Sequence, residues 1–193
     1  MKGLKPVRIG KGIEFVCMGN NNRSVMAKIV ADDYVNRIGA DIPIYSSGVL
    51  VKEFFEVGPM PRIIDALKSM GIEGAPVELT YKFIEMEGKM RDEALKIRGY
   101  APIENHKHQQ TYPRDDIDLM LIVADNEKRI LLEKFPGAKA QTLAEYTGNA
   151  YKEMTSVGTQ NWLTTVEPHL RYLDNLIKIM PKVMEKYVCA FNH

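Results

Sequence analysis

The stretch Ile13 to Tyr34, IEFVCMGNNNRSVMAKIVADDY, leaves the chain few ways to fold. A short apolar segment (Ile13, Phe15, Val16) runs into Cys17, crosses Met18 to Asn22, reaches Arg23-Ser24 and then takes up helical spacing. A strand, a tight loop and a helix start therefore meet at a cysteine. Gly19 and the three asparagines tolerate left-handed backbone angles, so the loop can curl its N–H groups inward as an anion-binding nest. The following helix points its positive end at the same spot. Arg23, planar and permanently charged, can grip two oxygens of a phosphate at once. The same field is expected to hold Cys17 as a thiolate near neutral pH. That order of residues suits attack of sulfur on phosphorus, with loop amides and guanidinium holding the equatorial oxygens until water removes the phosphocysteine. The plainer alternative is a small buried cysteine at a strand end beside an ordinary first-turn arginine.

The remainder of the chain alternates strand and helix signals. Ala27, Val30, Tyr34 and Ile38 recur at helical spacing, closed by Gly39, Asp41 and Pro43, and Ile42 to Tyr45 is a short strand delivering Ser46 and Ser47 to a loop. Pro61 opens a helix with the stripe Ile64, Leu67 and Met70. Tyr81 to Arg98 is strongly helical, with Phe83, Met86 or Glu87, Met90, Ala94 and Ile97 in a stripe, and its charged face is expected to stay wet. His106 and His108 alternate in a polar loop without a second ligand pair, so they are expected to be solvated rather than to bind metal. Asp118 to Ala124 has the continuous apolar character of a buried parallel strand, Glu127 to Phe135 reads as a short helix, and Ala138 to Leu143 as the last strand. Leu170, Leu173, Ile177, Met180 and Met184 mark a final amphipathic helix, with a kink expected at Pro181. The pattern argues an α/β fold with a parallel sheet, with ligand bound at the carboxyl end of the first strand.

With 26 basic and 25 acidic side chains, nothing in the totals marks a partner for nucleic acid or membrane, so an anion must be bound locally. Cys17 and Cys189 form no disulfide or metal framework, which suits a reducing cytoplasm. One domain over 1–193 is expected, with 1–11 as a flexible lead-in.

FVCMGNNNRSVMA resembles the low-molecular-weight protein tyrosine phosphatases, whose loop reads C-x-G-N-x-x-R-S at the end of the first strand; arsenate reductases of the same superfamily use the same loop. The resemblance continues in IYSSG (Ile44 to Gly48), VGPMPRIIDALKSMGI (Val57 to Ile72), DLMLIV (Asp118 to Val123) and AKAQTLAEYTG (Ala138 to Gly148). It implies a three-layer, flavodoxin-like sandwich on a four-stranded parallel sheet. It implies catalysis by Cys17 and Arg23 without a cofactor or metal, and phosphate binding by Met18, Gly19, Asn20, Asn21, Asn22, Arg23 and Ser24. Ser46 matches the serine that steadies the loop, and Phe55 falls where an aromatic forms a cleft wall.

The chain departs from that family in four places. Residues 76–114 form an insertion, helical around 80–104, that could pack beside the domain, form a lid, or meet a partner or a second copy. The family's general acid is an aspartate in an Asp-Pro pair, but NAYKEMTSVGTQNWLTTVEPHL contains no aspartate; Glu153 lies near the expected place, while Glu167-Pro168 suits a helix start. Asn22 stands where many members carry a second cysteine. Asn21 stands where the tyrosine-specific members carry an apolar residue. The resemblance implies a cysteine-dependent phosphomonoesterase acting on a phosphorylated protein, at phosphotyrosine or a related residue, or on a small phosphomonoester. An arsenate reductase using an external thiol and a phosphate-binding module without turnover are the alternatives.

Overall fold

The structure is a computed structural model and describes residues 8–103, 106–148 and 160–191. In chain order the elements are β1 (Ile13–Cys17), α1 (Arg23–Ile38), β2 (Ile44–Gly48), α2 (Val51–Glu56), α3 (Pro61–Ser69), α4 (Pro76–Ile97), β3 (Leu119–Ile122), α5 (Asp125–Lys134), β4 (Ala140–Thr142), α6 (Leu143–Thr147), a 3-10 turn (Gln160–Leu163) and α7 (Glu167–Phe191). The sheet is parallel throughout, in the order β2-β1-β3-β4. This is the four-stranded α/β arrangement expected from the alternation of strand and helix signals.

β1 is buried along its whole length, because helices cover both faces of a parallel sheet. Its alternate side chains therefore enter two different cores. Ile13, Phe15 and Cys17 join Met26, Val30, Leu173 and Tyr172 beneath α1 and α7. Val16 joins Phe54, Ile63, Leu67, Phe83 and Ile122 beneath α2, α3 and α4. α1 ends where Gly39 takes a left-handed φ of 66° and donates its N–H to Asn36 O, a common way to stop a helix. α7 continues through Pro181 as one helix, and the residues expected on its stripe include buried Leu173, Met180 and Met184. No helix among the described residues is long and apolar enough to cross a membrane.

Several element boundaries differ from the sequence expectation, among them β2, which runs Ile44–Gly48 rather than Ile42 to Tyr45. The last strand is only Ala140–Thr142, because Thr142 caps α6: its Oγ1 accepts the Glu145 N–H while Glu145 Oε2 accepts the Thr142 N–H. α2 occupies a segment with no clear apolar period. The insertion helix α4 begins at Pro76, with the Ala75 N–H donating to Glu78 Oε2, and it lies outside the sheet as expected. Its buried face is rotated from the apolar stripe, however. Leu79, Phe83, Glu87, Arg91 and Leu95 are buried, whereas Ile97 is half exposed. The charged side of α4 is not wet at Glu87 and Arg91, because both have polar partners inside the protein.

The chain returns from α4 along the edge of β2. Gly48 N–H donates to Gln109 O, Thr111 N–H donates to Gly48 O, and the Ser47 and Thr111 hydroxyls are 2.6 Å apart. Gly48 also lies against the loop after β1: a Cβ there would stand 2.5 Å from Asn20 N and 2.7 Å from Met18 O. Both are backbone atoms, so neither can swing away. Gly48→Ala is therefore expected to lower stability by about 1–3 kcal/mol, the usual range for overpacking, read as a fall in the urea midpoint at constant slope. An unchanged midpoint would show that the loop can retreat from β2.

Candidate functional site

The loop joining β1 to α1 puts three asparagine amides in the interior, and a buried amide is costly unless bonded. Asn20 has a φ of 50°, the left-handed turn expected of the nest. Its Nδ2 donates to Ser24 Oγ and Ser46 Oγ, both at 3.1 Å, and its Oδ1 accepts the Gln109 N–H at 2.8 Å. Ser46 thus steadies the loop through Asn20. The Asn20 carbonyl lies within hydrogen-bond distance of His106 Nε2 and His108 Nδ1. The two histidines expected to be solvated are instead half-buried against the loop, because a carbonyl turned outward by Asn20 needs donors. Burial depresses both pKa values, that of His106 to about 4.

Asn21 and Asn22 turn toward α4 and α7. Asn21 Nδ2 donates to Glu87 Oε2 at 2.8 Å and to Ile84 O at 3.2 Å, and Arg91 donates to Asn21 O. Asn22 Nδ2 donates to Glu87 Oε1 at 3.2 Å and lies 2.8 Å from His169 Nδ1. His169 Nε2 is 2.8 Å from Trp162 O, so that nitrogen carries the proton and Nδ1 is left as the acceptor. Burial holds this histidine below its usual range, in the neutral form the arrangement requires.

Cys17 is 3% exposed, with Sγ 3.0 Å from Ser24 Oγ. Arg23 is buried beside it and paired with Glu127, which is fully buried on α5. The surroundings of Cys17 work against the thiolate expected near neutral pH. Burial pushes the thiol pKa up and the Glu127 carboxylate pushes it further, while Arg23 and Ser24 act in the opposite direction. The sequence expectation counted the guanidinium but not the carboxylate paired with it.

A narrow cleft with about 40 Å³ of room opens over this loop. Cys17, Met18, Gly19, Asn21, Asn22 and Arg23 line it from the loop, Phe54, Ile63, Phe83 and Trp162 give it apolar walls, and Met60, Arg62 and Glu87 complete it. Phe83 meets Phe54 edge-on at 6.2 Å and Trp162 at 5.7 Å. Phe55, expected as the wall, faces away and packs on Tyr81 and His108 instead. Along the helical turn of α2 only one of two adjacent aromatics can face the core, and that is Phe54. The Asn20 side chain and the Ser24 hydroxyl, both expected among the phosphate-binding residues, bond to each other, and Ser24 Oγ also lies beside Cys17 Sγ. Glu153 lies outside the described residues, and Glu167 opens α7 as expected of a helix start. Among the described residues no cluster of His, Cys, Asp and Glu could hold a metal ion.

Sequence reasoning did not assign Glu87, Arg91, Glu127, Trp162 or His169 to the site. The charged pair at Glu87 and Arg91, four residues apart on one helical face, was the signal available for two of them.

Residues 12–81 match the sequence profile of the low molecular weight phosphotyrosine protein phosphatase family. No curated protein matches the chain in sequence. Among solved structures, a low molecular weight protein tyrosine phosphatase from T. tengcongensis is similar with a TM-score of 0.60 at 22% identity, covering 90% of this chain and 97% of that one. Vibrio vulnificus Wzb, solved with benzylphosphonate, has a TM-score of 0.59 at 15% identity, covering 91% and 97%. The YwlE arginine phosphatase from Geobacillus stearothermophilus has a TM-score of 0.52 at 21% identity, covering 90% of each chain. At these identities the likeness is one of fold.

The two histidines on Asn20 give the loop a pH dependence. His106 is neutral in the folded chain until about pH 4, whereas in the unfolded chain it takes up a proton near its ordinary value of 6.5. Its contribution to stability is thus complete above that value and lost as pH falls toward 4. Urea midpoints measured from pH 7 to pH 4 are expected to fall less steeply for His106→Gln than for the unsubstituted chain. Parallel curves would remove His106 from the account.

Proposed function

We propose that this chain, a divergent relative of the low molecular weight phosphotyrosine protein phosphatases through residues 12–81, is a cysteine-dependent phosphomonoesterase. The observation that carries the reading is the loop itself: Cys17 at the carboxyl end of β1, Ser24 Oγ 3.0 Å from its sulfur, and Arg23 beside it at the first turn of α1. In this reaction the Cys17 thiol first passes its proton to the substrate's phosphate dianion, and Sγ then attacks phosphorus as the thiolate. The N–H groups of Met18 to Asn22 and the Arg23 guanidinium hold the three equatorial oxygens where negative charge builds up. Glu127 orients that guanidinium, and the Ser24 hydroxyl is placed to hydrogen-bond sulfur when it departs from phosphorus. A water then cleaves the phosphocysteine.

The walls of the cleft bear on the substrate. Phe54, Phe83 and Trp162 surround the approach to Cys17 with aromatic surface, which favours a flat apolar group on the phosphate, such as the ring of phosphotyrosine. Asn21 does not add a polar surface to that approach in the way its position suggests, because its amide is taken up by Glu87 and Ile84. An arsenate reductase requires a thiol to resolve the arsenylated cysteine. Cys189, the other cysteine of the chain, is exposed on the last turns of α7 and contributes nothing to the cleft.

Hydrolysis of 4-nitrophenyl phosphate by purified protein tests the reading. Cys17→Ser is expected to reduce turnover to background while phosphate still binds. Arg23→Lys is expected to lose on the order of 10²-fold or more in kcat, because an ammonium group cannot make the paired contacts. Substantial activity in Cys17→Ser would exclude sulfur as the nucleophile.

A further inference from the structure

The insertion helix brings a carboxyl group to the cleft. Glu87 is 7% exposed and lines the same small space as Cys17 and Arg23. Each of its oxygens accepts one amide bond from the loop, from Asn21 at 2.8 Å and from Asn22 at 3.2 Å. A carboxyl group has about four acceptor sites, so two bonds leave capacity for a proton and for a further partner. Asn22 is in turn held by His169, and His169 by Trp162 O, which fixes the plane in which Glu87 is held.

We propose that Glu87 is the proton donor to the leaving group, supplied from α4 in a chain that has no aspartate between Asn149 and Leu170. The proposal rests on the phosphatase reading given above. Burial pushes the Glu87 pKa up, against the pull of the two asparagine amides and of Arg23 and Arg91, so the acid form is available nearer neutral pH than for an ordinary glutamate. In the first step the Cys17 thiolate forms a bond to phosphorus, the phosphorus–oxygen bond of the ester breaks, and the Glu87 proton passes to the departing oxygen. Alcohol or phenol leaves, with Glu87 as carboxylate. In the second step that carboxylate takes a proton from water as its oxygen attacks phosphorus. The phosphorus–sulfur bond then breaks and the proton first lent to the phosphate returns to sulfur, which releases hydrogen phosphate and restores the Cys17 thiol and the protonated Glu87.

The test is a leaving-group series of aryl phosphates, from 4-nitrophenyl phosphate to phenyl phosphate and phosphotyrosine, on the unsubstituted chain, Glu87→Gln, Glu87→Asp and Glu153→Gln. Glu87→Gln is expected to lose little on the activated ester and about 10²-fold or more on phenyl phosphate and phosphotyrosine, the usual range for a general acid. It should also lose the alkaline limb of the pH profile, while vanadate still raises its Tm. Glu87→Asp should recover part of the loss on the poor leaving groups. An equal loss across the series, or loss of vanadate binding, would assign Glu87 to holding Asn21 and Asn22 and overturn the proposal. So would a leaving-group-dependent loss in Glu153→Gln alone. A chain that hydrolyses no aryl phosphate at all overturns the phosphatase reading as well, whereas one that hydrolyses the whole series with Glu87→Gln unaffected overturns only the role of Glu87.

Discussion

A loop carrying three consecutive asparagines can be buried only if something buries it with partners. That requirement organises much of the molecule around residues 17–24. Asn20 draws in Ser24, Ser46 and the chain at Gln109; Asn21 draws in Glu87 and Ile84; Asn22 draws in Glu87 and His169. Elements far apart in sequence are thereby fixed around a few residues: the end of β2, the middle of α4, the polar return segment and the start of α7. Leaving any one amide without its partner costs about 1–3 kcal/mol, so the arrangement is strongly preferred over looser alternatives. Close packing of Gly48 against the loop backbone adds a steric limit on the other side.

The electrostatics of the site follow from which charges are paired. Arg23 lies beside Cys17, and Glu127 is paired with it. Burial and the Glu127 carboxylate both favour the thiol at Cys17, against the pull of Arg23 and Ser24. On the α4 side, Glu87 is likewise a buried acid facing two arginines, Arg23 and Arg91, with two amide donors between.

The sheet and the loop between β1 and α1 were legible because their signals are local. The apolar run into Cys17, the left-handed-tolerant Gly19 and Asn20, and the helical spacing after Arg23 describe one continuous strand, loop and helix, and the structure has them at those residues. The residues that complete the site were not legible because their positions depend on packing across the chain. Nothing in the neighbourhood of Glu127 says that it meets Arg23 from 104 residues away. His106 and His108 looked solvated because their acceptor, the Asn20 carbonyl, belongs to a different segment. Phe54 and Phe55 are chemically identical neighbours, so composition could not say which faces the cleft; the rotation of α2 decides it. Arg91 was read as part of a wet face, and Glu87 only as an alternative to Met86 in the stripe, because charges on a helix are usually solvated; the buried asparagines opposite them reverse that outcome.

The bridge between Gly48 and residues 109–111 has a consequence for association. β2 is an edge strand of the sheet, and an unpaired edge offers its N–H and C=O groups to any extended chain. At its carboxyl end those groups are already occupied: Gly48 N–H and C=O bond to Gln109 and Thr111, and the Ser47 hydroxyl meets that of Thr111. The segment around Gln109 to Thr111 thus covers the sheet margin nearest the cleft. Shortening it to tidy the chain would expose a strand end beside the nucleophile loop, and with it a template for strand-to-strand aggregation that the intact protein does not present there.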